Sequence, residues 1–256
     1  MSERKSYFSY SAAGSAFGGA LFSPQPLVIP TQAMASLSAA GGYGSASVHD
    51  FGIDKLMTVR RGVSTVSGDE KQTELTVTIE GVNIMNVLEV DRLVVHLVSV
   101  APPGAEEAVI TPAGSVIEGL RVHGKPVELA SAVDVFDRNP TYSGLECAYR
   151  NGVLNGMIIE PGTLGAPCTA KEIGGCVTRI GDVKATLYPL TNYKGDLPVV
   201  NGGLRVKDFA TLYFGEYRIT KFARRLTMLR VELGCGTGGS LELGDGSGNG
   251  HWDPPN

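Results

Sequence analysis

The stretch from Thr73 to Val100, TELTVTIEGVNIMNVLEVDRLVVHLVSV, constrains this chain more than any other. In its first half Leu75, Val77 and Ile79 alternate with Thr76, Thr78 and Glu80. A period of two puts one apolar and one polar face on an extended backbone. In its second half Leu93, Val94, Val95, Leu97 and Val98 form a β-branched run that suits a strand buried on both faces. Between them, Gly81 to Asp91 fits a loop, a turn with a bulge or a third short strand, Val82 to Leu88. The reading adopted is two long antiparallel strands around a short middle one, at the centre of a sheet.

The rest of the chain agrees with a β protein. Val48, Phe51, Ile53, Leu56, Val59, Val63 and Val66 mark two strands, with turn residues at Gly52 and Gly62. Ala210 to Leu233 reads as a hairpin, with a bulge at Gly215 in its first arm and cross-strand aromatic and β-branched pairs. Leu27-Val-Ile, flanked by Pro26 and Pro30, fits an edge strand. Val122-His-Gly-Lys-Pro-Val signals two short strands about Gly124. Ile79-Glu-Gly-Val-Asn-Ile is echoed by Ile117-Glu-Gly-Leu-Arg-Val, which reads either as a duplicated unit or as two strand bends. The expected fold is therefore all-β, an antiparallel β-sandwich or flattened barrel of roughly ten to fourteen short strands.

Three segments follow from the composition. Residues 1–44 are a Ser/Ala/Gly/Pro-rich N-terminal segment, in which Tyr7 to Phe22 fits a strand and Ala33 to Gly44 a flexible connector. Residues 45–233 are a single β domain. Its alternation fades near residues 130–180, where an irregular insertion holds a short helix at Tyr142 to Asn151 and a possible helical turn at Thr169 to Ile173. Residues 234–256 are a Gly-rich C-terminal tail.

Charge and composition exclude several classes. A net charge of −4 and isolated doublets at Arg60-Arg61 and Arg224-Arg225 give no basic stripe for nucleic acid. No apolar run reaches the roughly 18 residues of a membrane span. Tyr7 to Phe22 is interrupted by Ser and Gly, unlike the dense apolar core of a secretory signal, so localisation stays open between the cytoplasm and non-classical export. Cys147, Cys168, Cys176 and Cys235 make no C-x-x-C pair and read as free buried thiols.

Val231-Glu-Leu-Gly-Cys-Gly-Thr-Gly-Gly resembles the first motif of S-adenosylmethionine-dependent methyltransferases, with Gly234, Gly236 and Gly238 admitting the cofactor. That motif opens a helix and needs a second acidic strand about 20 residues on, and neither is encoded here. Asp245-Gly-Ser-Gly-Asn-Gly resembles the start of a calcium loop, without its closing acid. The four histidines are scattered, and His96, inside the apolar run, reads as a core or edge residue. The expectations are no catalytic residue, no cofactor and no metal.

The tract Ile110 to Val127, with IEGVNIMNVLEVDRLVVHLVS before it and Arg225 to Gly234 with its Gly/Ser/Asn tail, resembles uncharacterised bacterial β-rich proteins similar to the choice-of-anchor P surface proteins. The resemblance covers residues 45–125 and 205–250, and it implies a sandwich-like, non-enzymatic protein. The leading functional expectation is a structural protein that self-associates into a homo-oligomer. The alternative is a carbohydrate or small-ligand binding module, with Phe136, Tyr142 and Tyr149 of the insertion as its aromatic contacts. A methyltransferase comes third.

Overall fold

The computed structural model describes residues 11–38, 41–69, 71–100, 102, 107–160, 183–221, 223–234 and 236–249. The chain enters as β1 (Ala12–Ser23), folds back as β2 (Leu27–Gln32) and returns to β1 through the short β3 (Ala35–Ser36). It crosses to a second layer and runs through four long strands: β4 (Gly42–Ile53), β5 (Met57–Gly68), β6 (Gln72–Ile84) and β7 (Leu88–Val100). The short strands β8 (Val109–Thr111), β9 (Val116–Glu118) and β10 (Arg121–Val122) line the far side of β7, and β11 (Lys125–Pro126) pairs with β10. Two helices follow, α1 (Val133–Asp137) and α2 (Tyr142–Arg150). The chain then builds the first layer with β12 (Ile158–Glu160), β13 (Val183–Thr186), β14 (Val199–Val200), β15 (Gly203–Val206), β16 (Ala210–Ile219), β17 (Ala223–Leu233) and β18 (Gly238–Asn249).

These strands form two antiparallel sheets. The first has the order β12-β13-β16-β17-β18-β1-β2, with β15 also on β16 and β3 on β1; the second has the order β11-β10-β7-β6-β5-β4. Strand makes up about 61% of the described residues and helix 7%, so the fold is all-β. The strand count among the described residues is eighteen, more than the sequence suggested, and the principal strands run to 12 or 13 residues.

The opening stretch forms β6 and β7, paired from Gln72↔Val100 to Ile84↔Leu88. There is no middle strand. Val82 to Ile84 continue β6 and Leu88 to Val90 begin β7. Met85 and Asn86, at φ 53° and 54°, turn the chain between them, and the Val87 N–H donates to the Ile84 carbonyl at 3.0 Å. Positive φ at both central positions gives the tight hairpin turn whose twist matches its strands. Met is a poor signal for such a turn, since side chains rarely adopt left-handed φ. The run on β7 is buried on both faces at Leu93, Val94 and Val95.

The Ile-Glu-Gly echo has a geometric cause. β6 and β9 flank β7 at the same height, so Ile79 and Ile117 both pair with Leu93, and Glu80 and Glu118 both pair with Arg92. Gly81 and Gly119 both take φ +64° and step past Asp91 from opposite sides. A Cβ on Gly119 would overlap the Asp91 carboxylate. Matched positions beside one strand account for the shared pattern, as bends rather than as a repeat.

The core lies between the sheets, with Leu75, Val77, Val95 and Leu97 of one layer facing Phe17, Leu229, Leu241 and Leu243 of the other. Residues 238–249, set apart by composition as part of a tail, are the strand β18, hydrogen-bonded to β17 on one side and β1 on the other. Glycine there serves close approach rather than flexibility. A Cβ on Gly14 or Gly246 would come within 2.5 Å of Leu75 methyl carbons in the opposite sheet. Asp245 accepts from Arg225 Nε and Thr227 Oγ1 within β17–β18, so it starts no calcium loop. Gly234, Gly236 and Gly238 lie at the junction of two antiparallel strands, and β18 rather than a helix follows.

The described part of the insertion packs onto the sandwich. Phe136 of α1, Leu145 and Ala148 of α2, and Leu154 join the core. Thr141 caps α2, its hydroxyl accepting from the Gly144 N–H at 3.0 Å. The turn expected at Thr169 to Ile173 lies outside the described residues, as do Cys168, Cys176, Cys235 and His251. Cys147 is an exposed free thiol, not a buried one.

Candidate interaction surfaces

The first surface is the edge of the second sheet. β4 pairs with β5 from Gly42↔Gly68 to Ile53↔Met57, and no described strand pairs with its other side. Its sequence, GYGSASVHDFGI, contains neither Lys nor Pro, and none of its residues is fully buried. Natural edges are usually blunted by such residues or kept short, because unpaired N–H and C=O groups template pairing with another chain. β2, at the edge of the other sheet, carries Pro30 and is half as long. The short β3, which follows β2 along the same side of β1, packs over the start of β4: the Ser36 carbonyl lies 3.1 Å from where a Cβ of Gly44 would sit. Around them Phe22, Val28 and Tyr43 are 71–72% exposed and Met34 is 61% exposed.

The second surface is a cleft of about 660 Å³ between the segment that follows the β10–β11 turn and the loop after β13. Val127, Leu129, Leu190 and Leu197 give it apolar walls, and His123, Lys125, Glu128, Lys194 and Asp196 form its rim. His123 and Gly124, at φ 50° and 71°, make the tight turn at one end. Gly195 lies against the Tyr193 ring, where any Cβ would collide with it. Burial raises the Tyr193 phenol above its ordinary 10, against a hydrogen bond to the Leu197 backbone.

The third surface is the outer face of the first sheet. Glu216, 8% exposed, meets Arg230 through both carboxylate oxygens (2.5 and 2.9 Å) and Lys184 at 2.9 Å. Burial pushes its carboxyl up, but the Arg230 and Lys184 hydrogen bonds outweigh this and hold it below the ordinary 4.5. The Arg230 guanidinium also stacks on Tyr213, 4.0 Å from the ring centroid.

The aromatic residues picked out in the insertion lie elsewhere. Phe136 is 1% exposed and packs edge-on against Tyr217, with centroids 5.4 Å apart. Tyr142 and Tyr149 are partly buried against the core, and none of the three lines the cleft. His96 is held locally: its Nδ1 meets the Ala113 carbonyl at 2.5 Å and its Nε2 meets Glu74 at 3.1 Å. The nearby Ser115 hydroxyl bonds the His96 backbone rather than the ring. The cleft had no sequence signal, because its walls are loops brought together only by the sandwich.

Among the described residues no group of three or more His, Cys, Asp or Glu side chains is placed to hold a metal ion. No described helix is long and apolar enough to cross a membrane. By fold the protein is an all-β, two-sheet sandwich that has, among its described residues, an unpaired edge strand and an apolar cleft. The chain belongs to the family defined by the domain of unknown function DUF8256, which matches residues 8–158. No curated protein and no solved structure matches it.

Proposed function

We propose that this is a non-enzymatic structural protein that self-associates by adding a strand of a second copy to the free edge of β4. The observation that carries this reading is a 12-residue edge strand without Lys or Pro, rimmed by exposed Phe22, Val28, Met34 and Tyr43. An edge of that length with no described strand paired to it is an association site. Ser45 and Ser47 are exposed on β4, where lysines would blunt the edge without entering the core. Sedimentation velocity on the full chain should show concentration-dependent oligomers. The double variant Ser45→Lys/Ser47→Lys should sediment as a monomer with an unchanged circular dichroism spectrum. A wild-type protein that stays monomeric at high concentration rules the proposal out.

A second reading, a small-ligand or carbohydrate binding module, is favoured by the cleft between the post-β11 segment and the loop after β13. Its size falls within the range of small-molecule sites, as does its mix of apolar walls and polar rim. Titration of neutral oligosaccharides followed by amide chemical shifts tests it. Saturable shifts at Leu129 and Leu197 would support it, and a flat response across the panel would remove it.

A further inference from the structure

A row of three basic side chains crosses the outer face of the first sheet. Lys184 on β13 pairs directly with Arg218 on β16, and Arg218 pairs directly with Arg225 on β17. Directly paired residues on neighbouring strands share a face, their strands under about 5 Å apart. Like charges at such positions repel, and sheets ordinarily place an opposite charge between them.

The carboxylates of this face are already engaged. Glu216 serves Arg230 and Lys184; Glu242 and Asp245 serve Arg225; Glu232 serves Arg230. Arg218 is exposed and has no ion pair or hydrogen bond to its side chain among the described residues. All three cations border a strongly polar groove of about 460 Å³, lined also by Arg230, Thr227 and Ser240 and by the engaged carboxylates Glu216, Glu232 and Glu242. An open concavity, with an unneutralised arginine flanked by two further cations, has the chemistry of an oxyanion site. The planar guanidinium fork matches tetrahedral oxyanions, and a flanking lysine adds a point charge.

We propose that Arg218, with Lys184 and Arg225, binds a tetrahedral oxyanion, a phosphate or sulfate group. The site is separate from the β4 edge, so it stands or falls independently of self-association.

The test is thermal unfolding of the full chain in inorganic phosphate, in sulfate and in chloride at matched ionic strength. Three proteins are compared: wild type, Arg218→Ala, and Arg205→Ala as an exposed control on the neighbouring β15. Both anions are excluded from protein surfaces and stabilise folded chains in general, so the increment that matters is the one Arg218→Ala loses. The wild type and Arg205→Ala should gain about 2–4 °C over chloride beyond that background, and Arg218→Ala should gain only the background. A larger gain in phosphate than in sulfate, or the reverse, identifies which anion the groove prefers. Equal gains in all three proteins overturn the proposal, since they would reflect general exclusion alone.

Discussion

At the scale of single residues, Glu216 is the side chain whose environment departs furthest from what its neighbours in sequence suggest. It follows the bend at Gly215, where a Cβ would strike Leu187 and Tyr188 at 2.8–2.9 Å. The bend seats the carboxylate between Arg230 and Lys184 on an otherwise solvated face. Because its folded pKa lies below the ordinary 4.5, its contribution is complete above that value and is lost as pH falls through the folded pKa. Urea unfolding from pH 7 down to pH 3 should therefore show stability declining below about pH 4.5. In Glu216→Gln the acid decline should be shallower, and the pH 7 stability lower by roughly 2 kcal/mol, the scale of a charge-assisted hydrogen bond. A variant with the wild-type pH profile would show that Glu216 is not the group responsible. The break at Gly215 was legible in the sequence, since a glycine interrupts an otherwise regular alternation, but it is a bend at φ +56° with the register to β17 unchanged, not the bulge expected there. The partners it brings to Glu216 were not, because they come from strands before and after it in the chain.

At the scale of elements, the β16–β17 hairpin is tied to the helical insertion by one buried arginine. Arg224 is 1% exposed. Its Nη1 donates to the Thr220 carbonyl in the hairpin turn and to the Ala223 carbonyl at 3.1 Å, and its Nη2 reaches the Pro140 carbonyl just before α2. Burial lowers its pKa, and the same burial pushes the neighbouring Tyr217 phenol up to about 12. The guanidinium adds a donor to all three carbonyls, two of which also accept a backbone N–H, Ala223 from Thr220 and Pro140 from Ile110, so the turn and the α1–α2 connection close on one group. Arg224→Ala removes one donor from each of those carbonyls and opens a void beside Tyr217. It should cost about 3–5 kcal/mol by denaturant titration, and hydrogen exchange should quicken in α2 as well as in the hairpin. Faster exchange confined to residues 210–233 would mean that the arginine does not couple the two elements. The hairpin was legible through its alternation, and α2 as the short helix expected at Tyr142 to Asn151, which forms over Tyr142–Arg150. Arg224-Arg225 stands in the sequence as an isolated doublet, and the alternation of β17 sends its two side chains to opposite faces: Arg225 meets the outer carboxylates while Arg224 points inward. β1 and β18 were the elements least legible as core. Their Ala and Gly residues encode the close approach of two sheets rather than a hydrophobic stripe, and small residues in sequence read first as turns or tails.

At the scale of the whole molecule, the chain closes on itself, since β1 near one end lies beside β18 near the other, from Ala12↔Gly248 to Ser23↔Gly238. The all-β class was legible from periodicity alone. This closure was not, because it pairs segments separated by almost the full sequence. It has a consequence for the family match at residues 8–158. That segment holds all of the second sheet, but of the first only β1, β2, β3 and the first residue of β12. Cut out, it would leave β1 without β18. It would also bare Leu75, Val77, Ile79, Val95 and Leu97, each at most 2% exposed in the whole chain. One face of a sandwich cannot bury its apolar side without the other. Expressed alone, residues 8–158 should therefore lack cooperative thermal unfolding and bind hydrophobic dye, while the full chain unfolds in one transition. Supplying residues 159–256 as a second polypeptide should restore a cooperative transition, since β16, β17 and β18 would again cover the exposed face. If residues 8–158 unfold cooperatively by themselves, with well-dispersed amide resonances, then the second sheet is the folding unit and the first is an addition to it.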